Sequence, residues 1–312
     1  MSSDSAKPRP LTLLVGPTAS GKSGFAPELA ERLGAEIASL DSMLVYRGMD
    51  LGTAKPDAAV RARVRHHLID IVEPHEAYSV ARYVDDARVV QEALALRGQT
   101  ALFVGGTALY LKALTHGLFH GPDVDPRLRA ELEARWESLG PGAIFEELER
   151  IDPLSALRLH RNDKKRVLRA LEVHAQSGRS LSEWQREWRD GGERTAGCER
   201  RIIALEVSNE ELDRRIPLRT RAMLEAGWVE EACRVRSGAG FGRSAGQALG
   251  YAEVLELADG KITRADCEAR INLRTRQFAR RQRTWFRQFP EIRWLCVKKP
   301  DALETALDHL RG

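Results

Sequence analysis

Leu11-Thr12-Leu13-Leu14-Val15-Gly16-Pro17-Thr18-Ala19-Ser20-Gly21-Lys22-Ser23 decides the fold of this chain. Leu11 to Val15 is a short apolar run that stops at a glycine, the pattern of a strand buried on both faces. Gly16 to Ser23 fits G-x-x-x-x-G-K-[ST]. Glycines let such a loop turn its backbone N–H groups toward phosphate oxygens, and the helix that follows brings its positive dipole end to the same point. Lys22 would neutralise phosphate charge, and the Ser23 hydroxyl would ligate Mg²⁺. The pattern sits where it must, after an apolar strand and before a segment with helical spacing at Phe25, Leu29, Ala30 and Leu33, which Gly34 can cap. Pro27 lies inside that helix, where its missing N–H predicts a kink. The loop reports a phosphorylated ligand and no more, since kinases, NTPases and diphosphate-cleaving transferases share it.

Further short apolar runs at 36–40, 68–72 and 101–104, and late ones at 201–207 and 292–297, alternate with helical or loop segments. Strands and helices in alternation predict an α/β fold, a parallel sheet covered by helices on both faces. The middle of the chain reads differently. From about 122 to 197 no strand-like run stands out, and 127–139, 142–150 and 163–177 are amphipathic and charged. Asn162 or Asp163 can cap the third of these helices and Gly178 can end it. The expected organisation is an α/β core over 8–120, a helical insertion over 121–198, and the rest of the core, with a basic C-terminal helix, over 199–312.

Composition sets bounds. The chain has 312 residues, 43% of them hydrophobic, enough for a core domain with an insertion. The net charge of +4 is too mild to name a partner. Its distribution is more telling: residues 270–289 hold seven arginines and no acidic residue, a density suited to a polyanion or to a solvated surface helix. Cys198, Cys233, Cys267 and Cys296 form no CxxC pair and have no zinc-finger spacing, which reads as reduced thiols in a cytoplasmic protein. No apolar run of membrane-spanning length and no signal-peptide pattern occurs, and a monomer is expected.

Two features narrow the chemistry. Asp41 follows the second predicted strand, at the end of the sheet that carries the phosphate loop. It could be a general base, a metal ligand or a helix cap. Gly105-Gly106-Thr107 follows the 101–104 strand, either as a close-approach turn offering a hydroxyl to substrate or as an ordinary strand-to-helix turn.

Together with these, the strings GPTASGKS, GMDLGTAKP, HHLIDIVEP, YSVARY, LFVGGTALYLKAL, RALEV, GYAEV and TRQFARRQRTW, with Asp41-Ser42 and Tyr46, run in order from Gly16 to Trp285. In them the chain resembles the bacterial tRNA dimethylallyltransferases, also called tRNA isopentenyltransferases. The resemblance implies a P-loop NTPase-like core with an inserted helical domain, in agreement with the reading above. It implies transfer of a dimethylallyl group from dimethylallyl diphosphate, without ATP hydrolysis, to N6 of the adenosine at tRNA position 37. Gly16, Pro17, Thr18, Ala19, Ser20, Gly21, Lys22 and Ser23 would then hold the diphosphate with Mg²⁺. Asp41 would be the base, and Thr107 and Arg219 would act beside the diphosphate. Pro217 stands within the Arg219 helix, so that helix must start near it or kink.

The resemblance also implies tRNA contacts. They fall at Asp41, Ser42, Met43 and Leu44, at Arg129, and at Lys165, Arg166, Val167, Leu168 and Arg169. Others fall at Gln247, Ala248, Leu249, Gly250, Tyr251 and Ala252, a segment expected to replace the extruded target base. The last set is Thr275, Arg276, Gln277, Phe278, Ala279, Arg280, Arg281 and Gln282. Within these, Lys165 and Arg169 share a helical face while Val167, Leu168 and Leu171 can turn inward. Arg276, Arg280 and Arg283 make one basic stripe, whereas Phe278, Trp285 and Phe289 are expected in the core. With no paired Cys or His near Gly312, the chain resembles the short form without a C-terminal zinc finger. The rival functions are transfer to a free adenine nucleotide, a small-molecule kinase, and a non-catalytic RNA-binding protein.

Overall fold

The runs at 11–15, 36–40, 101–104, 201–207 and 292–297 form strands, and the run at 68–72 does not. The computed structural model describes residues 10–117, 121–190 and 199–312, with 187–190 as backbone. In chain order the elements are β1 (Leu11–Val15), α1 (Lys22–Leu33), β2 (Ala35–Leu40), α2 (Ala58–Arg63), β3 (His66–His67), α3 (Val80–Leu96), β4 (Thr100–Gly105) and α4 (Ala108–His116). Then follow α5 (Pro126–Ile151), α6 (Pro153–Ala156), α7 (Lys164–Ser177) and α8 (Leu181–Asp190). The last part holds β5 (Arg200–Leu205), α9 (Asn209–Glu225), α10 (Trp228–Ser237), a 3₁₀ turn at Ala245–Gln247, α11 (Tyr251–Ala258), α12 (Arg264–Phe286), β6 (Ile292–Leu295) and α13 (Ala302–Arg311).

The strands make one six-stranded sheet in the order β3-β2-β4-β1-β5-β6, every pair parallel. Because side chains alternate along a strand, each run feeds two cores. Leu11, Leu13 and Val15, with Ala38, Leu40, Phe103, Ile202 and Ala204, join the larger cluster on one face. Leu14, Ile37, Leu102, Ile203 and Leu205 join α1 and α13 on the other. Apolar residues at every position are thus what a sheet buried on both faces requires.

The 68–72 run fails as a strand because Leu68 and Asp70 sit at φ 61° and 57°, outside extended geometry. Asp70 is held there by Lys55 at 2.5 Å and Arg61 at 2.9 Å. Pairing falls instead on His66–His67, and Val72 makes only an isolated bridge to Tyr46. The two internal prolines are absorbed: α1 runs from Lys22 to Leu33 through Pro27, and α9 starts at Asn209, well before Pro217.

The chain divides into two compact units, residues 1–115 with 197–312, and residues 116–196. Helices α5 to α8, joined by turns, make up the second in its described residues, with its own core of Leu132, Trp136, Ile144, Leu148, Val167, Leu168, Ala170 and Leu171. The helices expected at 127–139 and 142–150 are two arms of α5 that meet at Gly140, whose φ of 78° and ψ of 164° break the helix ahead of Pro141. Asp163 caps α7 through the Arg166 N–H, and Gly178 ends it in the left-handed region. Cys233, Cys267 and Cys296 are free thiols, with burial pushing Cys267 up to about 11. Cys198 lies outside the described residues. No described helix is long and apolar enough to cross a membrane.

Candidate active site

Four connections leave the same edge of the sheet: those after β1, β2, β4 and β5, which are neighbours in the order given above. Ligands of open α/β sheets bind at the carboxyl ends of the strands, where these connections meet. The loop after β1 turns through Gly16 at φ 154°, Ala19 at 61° and Gly21 at 102°. A Cβ on Gly16 would come within 3.0 Å of the Ser20 hydroxyl and 3.3 Å of the Leu205 nitrogen, so the first glycine is needed for packing as well as for its turn. Lys22 folds back on the loop: its Nζ donates to the Gly16 and Pro17 carbonyls, both at 2.8 Å. The residue as a whole is half-buried, but its ammonium is enclosed. Burial pushes that ammonium down to about 7, against the pull of Asp41 and with a further push from Arg219.

Asp41 directly follows β2 and accepts the Met43 N–H on Oδ1 at 2.9 Å. No helix follows it; α2 begins at Ala58 under its own cap, Asp57, so the helix-cap role falls away. Its Oδ2 has no hydrogen-bond donor among the described residues and is the open acceptor at the site. Thr107 stands opposite, its Oγ1 accepting the Ser42 N–H at 3.1 Å, while its own N–H donates to the Leu40 carbonyl at 3.1 Å. The turns after β2 and β4 are thereby locked together. The two glycines before Thr107 are explained by what crowds them: a Cβ on Gly105 would overlap the Leu40 backbone, and one on Gly106 would overlap the amide of Gln282.

From α9, Arg219 reaches the loop with Nη1 3.4 Å from the Thr18 hydroxyl. Its guanidinium is buried, which works against its charge, and Asp41 offsets this. The structure adds Arg215, one helical turn earlier, whose Nη1 donates to the Ala19 carbonyl at 3.2 Å. Glu211 holds Arg215 at 2.5 Å, and Arg214, Lys298 and Arg215 together keep the Glu211 carboxyl down at about 2. The i, i+4 spacing of Arg215 to Arg219 is the sequence signal that puts both on one helix face.

The segments expected to meet RNA divide sharply by exposure. Val167 and Leu168 are fully buried in the helical core, so only Lys165 and Arg166 of that run face out, with Arg169 half-buried. Arg129 is nearly buried, paired with Glu133 at 3.1 Å. It also lies 3.8 Å from the buried Glu172, which Arg169 holds at 2.9 Å. Ala248, Gly250 and Tyr251 are buried, the Tyr251 hydroxyl donating to Glu231 at 2.7 Å, while Gln247, Leu249 and Ala252 reach the surface. On α12, Ala279 and Gln282 are buried, against the expectation of an outward run, and Phe278 is 39% exposed, against the expectation of a core position. Phe289 is buried and Trp285 packs on the core.

The basic stripe is also divided. Arg276 pairs with Asp213 at 2.7 Å, and Arg283 donates to the Asn209 side chain at 2.8 Å. Arg280 and Arg281 are exposed, with no side-chain partner among the described residues. A stripe drawn from helical periodicity cannot see α9, which packs on α12 and engages two of the three guanidinium groups, only Arg276 against an opposite charge.

Two clamps lie outside the predicted residues. Glu231 is buried and takes the N–H groups of Asp50, Leu51 and Gly52 at 2.8, 2.7 and 3.1 Å. The side chain of Lys55 is enclosed and donates to the Tyr46 carbonyl and to Asp50 and Asp70. They fix the GMDLGTAKP loop as a rigid piece next to the Asp41 turn.

Ser23 is exposed in the first turn of α1. Among the described residues no group of three or more His, Cys, Asp or Glu could hold a metal. The Ser23 hydroxyl is the protein oxygen that would reach a Mg²⁺ carried in by a phosphorylated ligand.

The family model described as IPP transferase matches residues 44–289, beginning just after Asp41. A tRNA dimethylallyltransferase of Halorhodospira halophila (strain DSM 244 / SL1) is 45% identical over 285 residues, 89% of this chain and 90% of the relative. One of Xanthomonas campestris pv. campestris (strain 8004) is 40% identical over 297 residues, 93% and 90% of the two. The crystal structure of the tRNA isopentenylpyrophosphate transferase of Bacillus halodurans superposes with a TM-score of 0.70 at 35% identity, covering 97% of this chain and 96% of that one. A eukaryotic dimethylallyltransferase captured acting on tRNA gives 0.76 at 27% identity, covering 96% and 77%. Shared sequence over most of the length, on a shared fold, leaves one conclusion: this chain belongs to the IPP transferase family.

Proposed function

We propose that this chain is a tRNA dimethylallyltransferase, which moves the dimethylallyl group of dimethylallyl diphosphate to N6 of adenosine 37, beside the anticodon, releasing diphosphate. The observation that carries the reading is an open carboxylate oxygen on Asp41 at the same sheet edge as the cationic phosphate loop, in a member of this family. In the step, the C1–O bond of the donor breaks and its electron pair leaves with the diphosphate. The N6 lone pair forms the new N–C1 bond, and the N6 proton passes to Asp41. The adenine amine is a weak nucleophile because its lone pair is delocalised, so an acceptor for its proton counts most at the moment of attack. Lys22 leaves the Gly16 and Pro17 carbonyls to meet the diphosphate, and Arg219 meets it from α9. Mg²⁺, held by the diphosphate and the Ser23 hydroxyl, would add further neutralisation of the leaving charge. The protein acts as a cytoplasmic monomer in this reading.

The test offers labelled dimethylallyl diphosphate with tRNA, and separately with AMP, ADP and ATP, and follows the products by nucleoside mass spectrometry. Prenylated adenosine from tRNA alone is the expected result. Label on the free nucleotides would move the protein to the other acceptor class, and ADP release during turnover would make it a kinase or ATPase.

A further inference from the structure

Gln282 lies in the helix that resemblance assigns to tRNA, yet its side chain points the other way. The residue is buried, 6% exposed, and both ends of its amide are engaged. Oε1 accepts the Thr18 N–H at 2.8 Å, and Nε2 donates to the Gly106 carbonyl at 2.7 Å. One planar group thus joins the middle of the phosphate loop to the turn that carries Thr107. Gly106 has no room for a side chain because this amide occupies the space, and its missing Cβ would also lie 3.3 Å from the Gly16 carbonyl. Around the bridge the small cluster of Ala279, Val207, Leu212 and Ile216 seats α12 against α9, with Ala19 packed on it. Arg215 holds the neighbouring Ala19 carbonyl from the other side.

We infer that Gln282 is a positioning residue for the donor site: it sets the phosphate loop and the Thr107 turn at a fixed separation, and it does not read RNA. Glutamine suits this role, since its carboxamide offers an acceptor and a donor side by side on one plane at the end of a side chain long enough to reach both turns. The loop N–H of Thr18 is committed to Gln282, so the diphosphate meets the remaining N–H groups of a loop already held in shape. Preorganisation of this kind lowers the reorganisation needed when charge develops on the leaving group. The inference rests on the transferase reading for its ligand, but the bridge itself does not depend on it.

The test uses Gln282→Met, which keeps the volume and removes both hydrogen bonds, in the full chain. The Thr18 amide should lose its protection from hydrogen exchange, read by NMR. Affinity for dimethylallyl diphosphate, measured by calorimetry, should fall about tenfold, since two hydrogen bonds of ordinary strength are lost and only part of their worth is felt at the donor site. Affinity for tRNA should stay within about twofold, since no RNA-facing atom changes. Gln282→Glu is the second variant, retaining the acceptor for Thr18 and losing the donor to Gly106; it should keep the Thr18 protection. Unchanged Thr18 exchange in Gln282→Met would overturn the inference. So would a loss of tRNA affinity with donor affinity intact, which would return Gln282 to the RNA surface. A wild-type protein that failed to transfer a prenyl group would sink the function while leaving the exchange result to judge the bridge.

Discussion

At the scale of single residues, the site is a set of charges whose burial sets their behaviour. Burial, with a smaller push from the Arg219 charge, brings the Lys22 ammonium down to about 7 in the folded chain, and Asp41 offsets only part of this. Between about pH 7 and its unfolded value near 10.5, the unfolded chain binds a proton that the folded one does not. Lys22 therefore costs stability below this window, and the cost is relieved as pH rises through it. Under the proposed function, donor binding would reverse the situation by placing anionic oxygens beside the ammonium. Binding of dimethylallyl diphosphate at about pH 8 is expected to take up a proton, and affinity to weaken with rising pH. Calorimetry in two buffers of different ionisation enthalpy checks this, and equal apparent enthalpies would show that Lys22 stays charged throughout. Asp41→Ala should cut turnover by about 10²–10⁴-fold, the range for a lost general base, while tRNA affinity stays nearly intact. Single-turnover rates with pre-bound tRNA measure it; near-normal rates would make Asp41 a spacer that only turns the chain at Met43.

At the scale of the element, α12 shows why composition overstates a surface. Its arginine density invites a reading as a continuous RNA-binding strip, yet Arg270 and Arg276 are spent on Glu256 and Asp213, and Arg274 on Glu253. The charges left over are those without neighbours, Arg280 and Arg281 among them. Replacing both with Gln removes two charges and keeps helix propensity. If each meets a phosphate, the log–log salt slope of tRNA binding should become shallower by about 1.5 units. Arg276→Gln should leave the slope alone and alter stability by no more than about 1 kcal/mol, because the pair with Asp213 is at the surface. Binding titrations at several salt concentrations separate the two; a slope change from Arg276 and none from the pair would place the RNA on the opposite flank of the helix.

At the scale of the whole molecule, two units with separate cores predict separable stability. Ile144 is fully buried in the helical core, and Ile144→Ala should cost that unit about 2–5 kcal/mol. Melting should then show an early transition, with dimethylallyl diphosphate still bound between it and the main one. A single transition carrying donor binding with it would mean that the units unfold together. Much of this organisation was legible in the chain itself. Apolar runs of strand length, a glycine-framed loop and a strandless middle are local patterns, governed by side-chain period and backbone sterics. They determined the α/β class, the glycine-framed turn between β1 and α1 and the place of Asp41 at a strand end. What periodicity could not reach were contacts made across the fold. Nothing local in 68–72 foretold that Lys55 and Arg61 would pin Asp70 in a left-handed turn and end the strand early. Nor did spacing on α12 distinguish an arginine facing solvent from one facing α9, or turn Gln282 inward to the phosphate loop. Sequence pattern carries which face of an element is apolar; which polar group finds a partner depends on the element packed against it, and only the tertiary structure decided that.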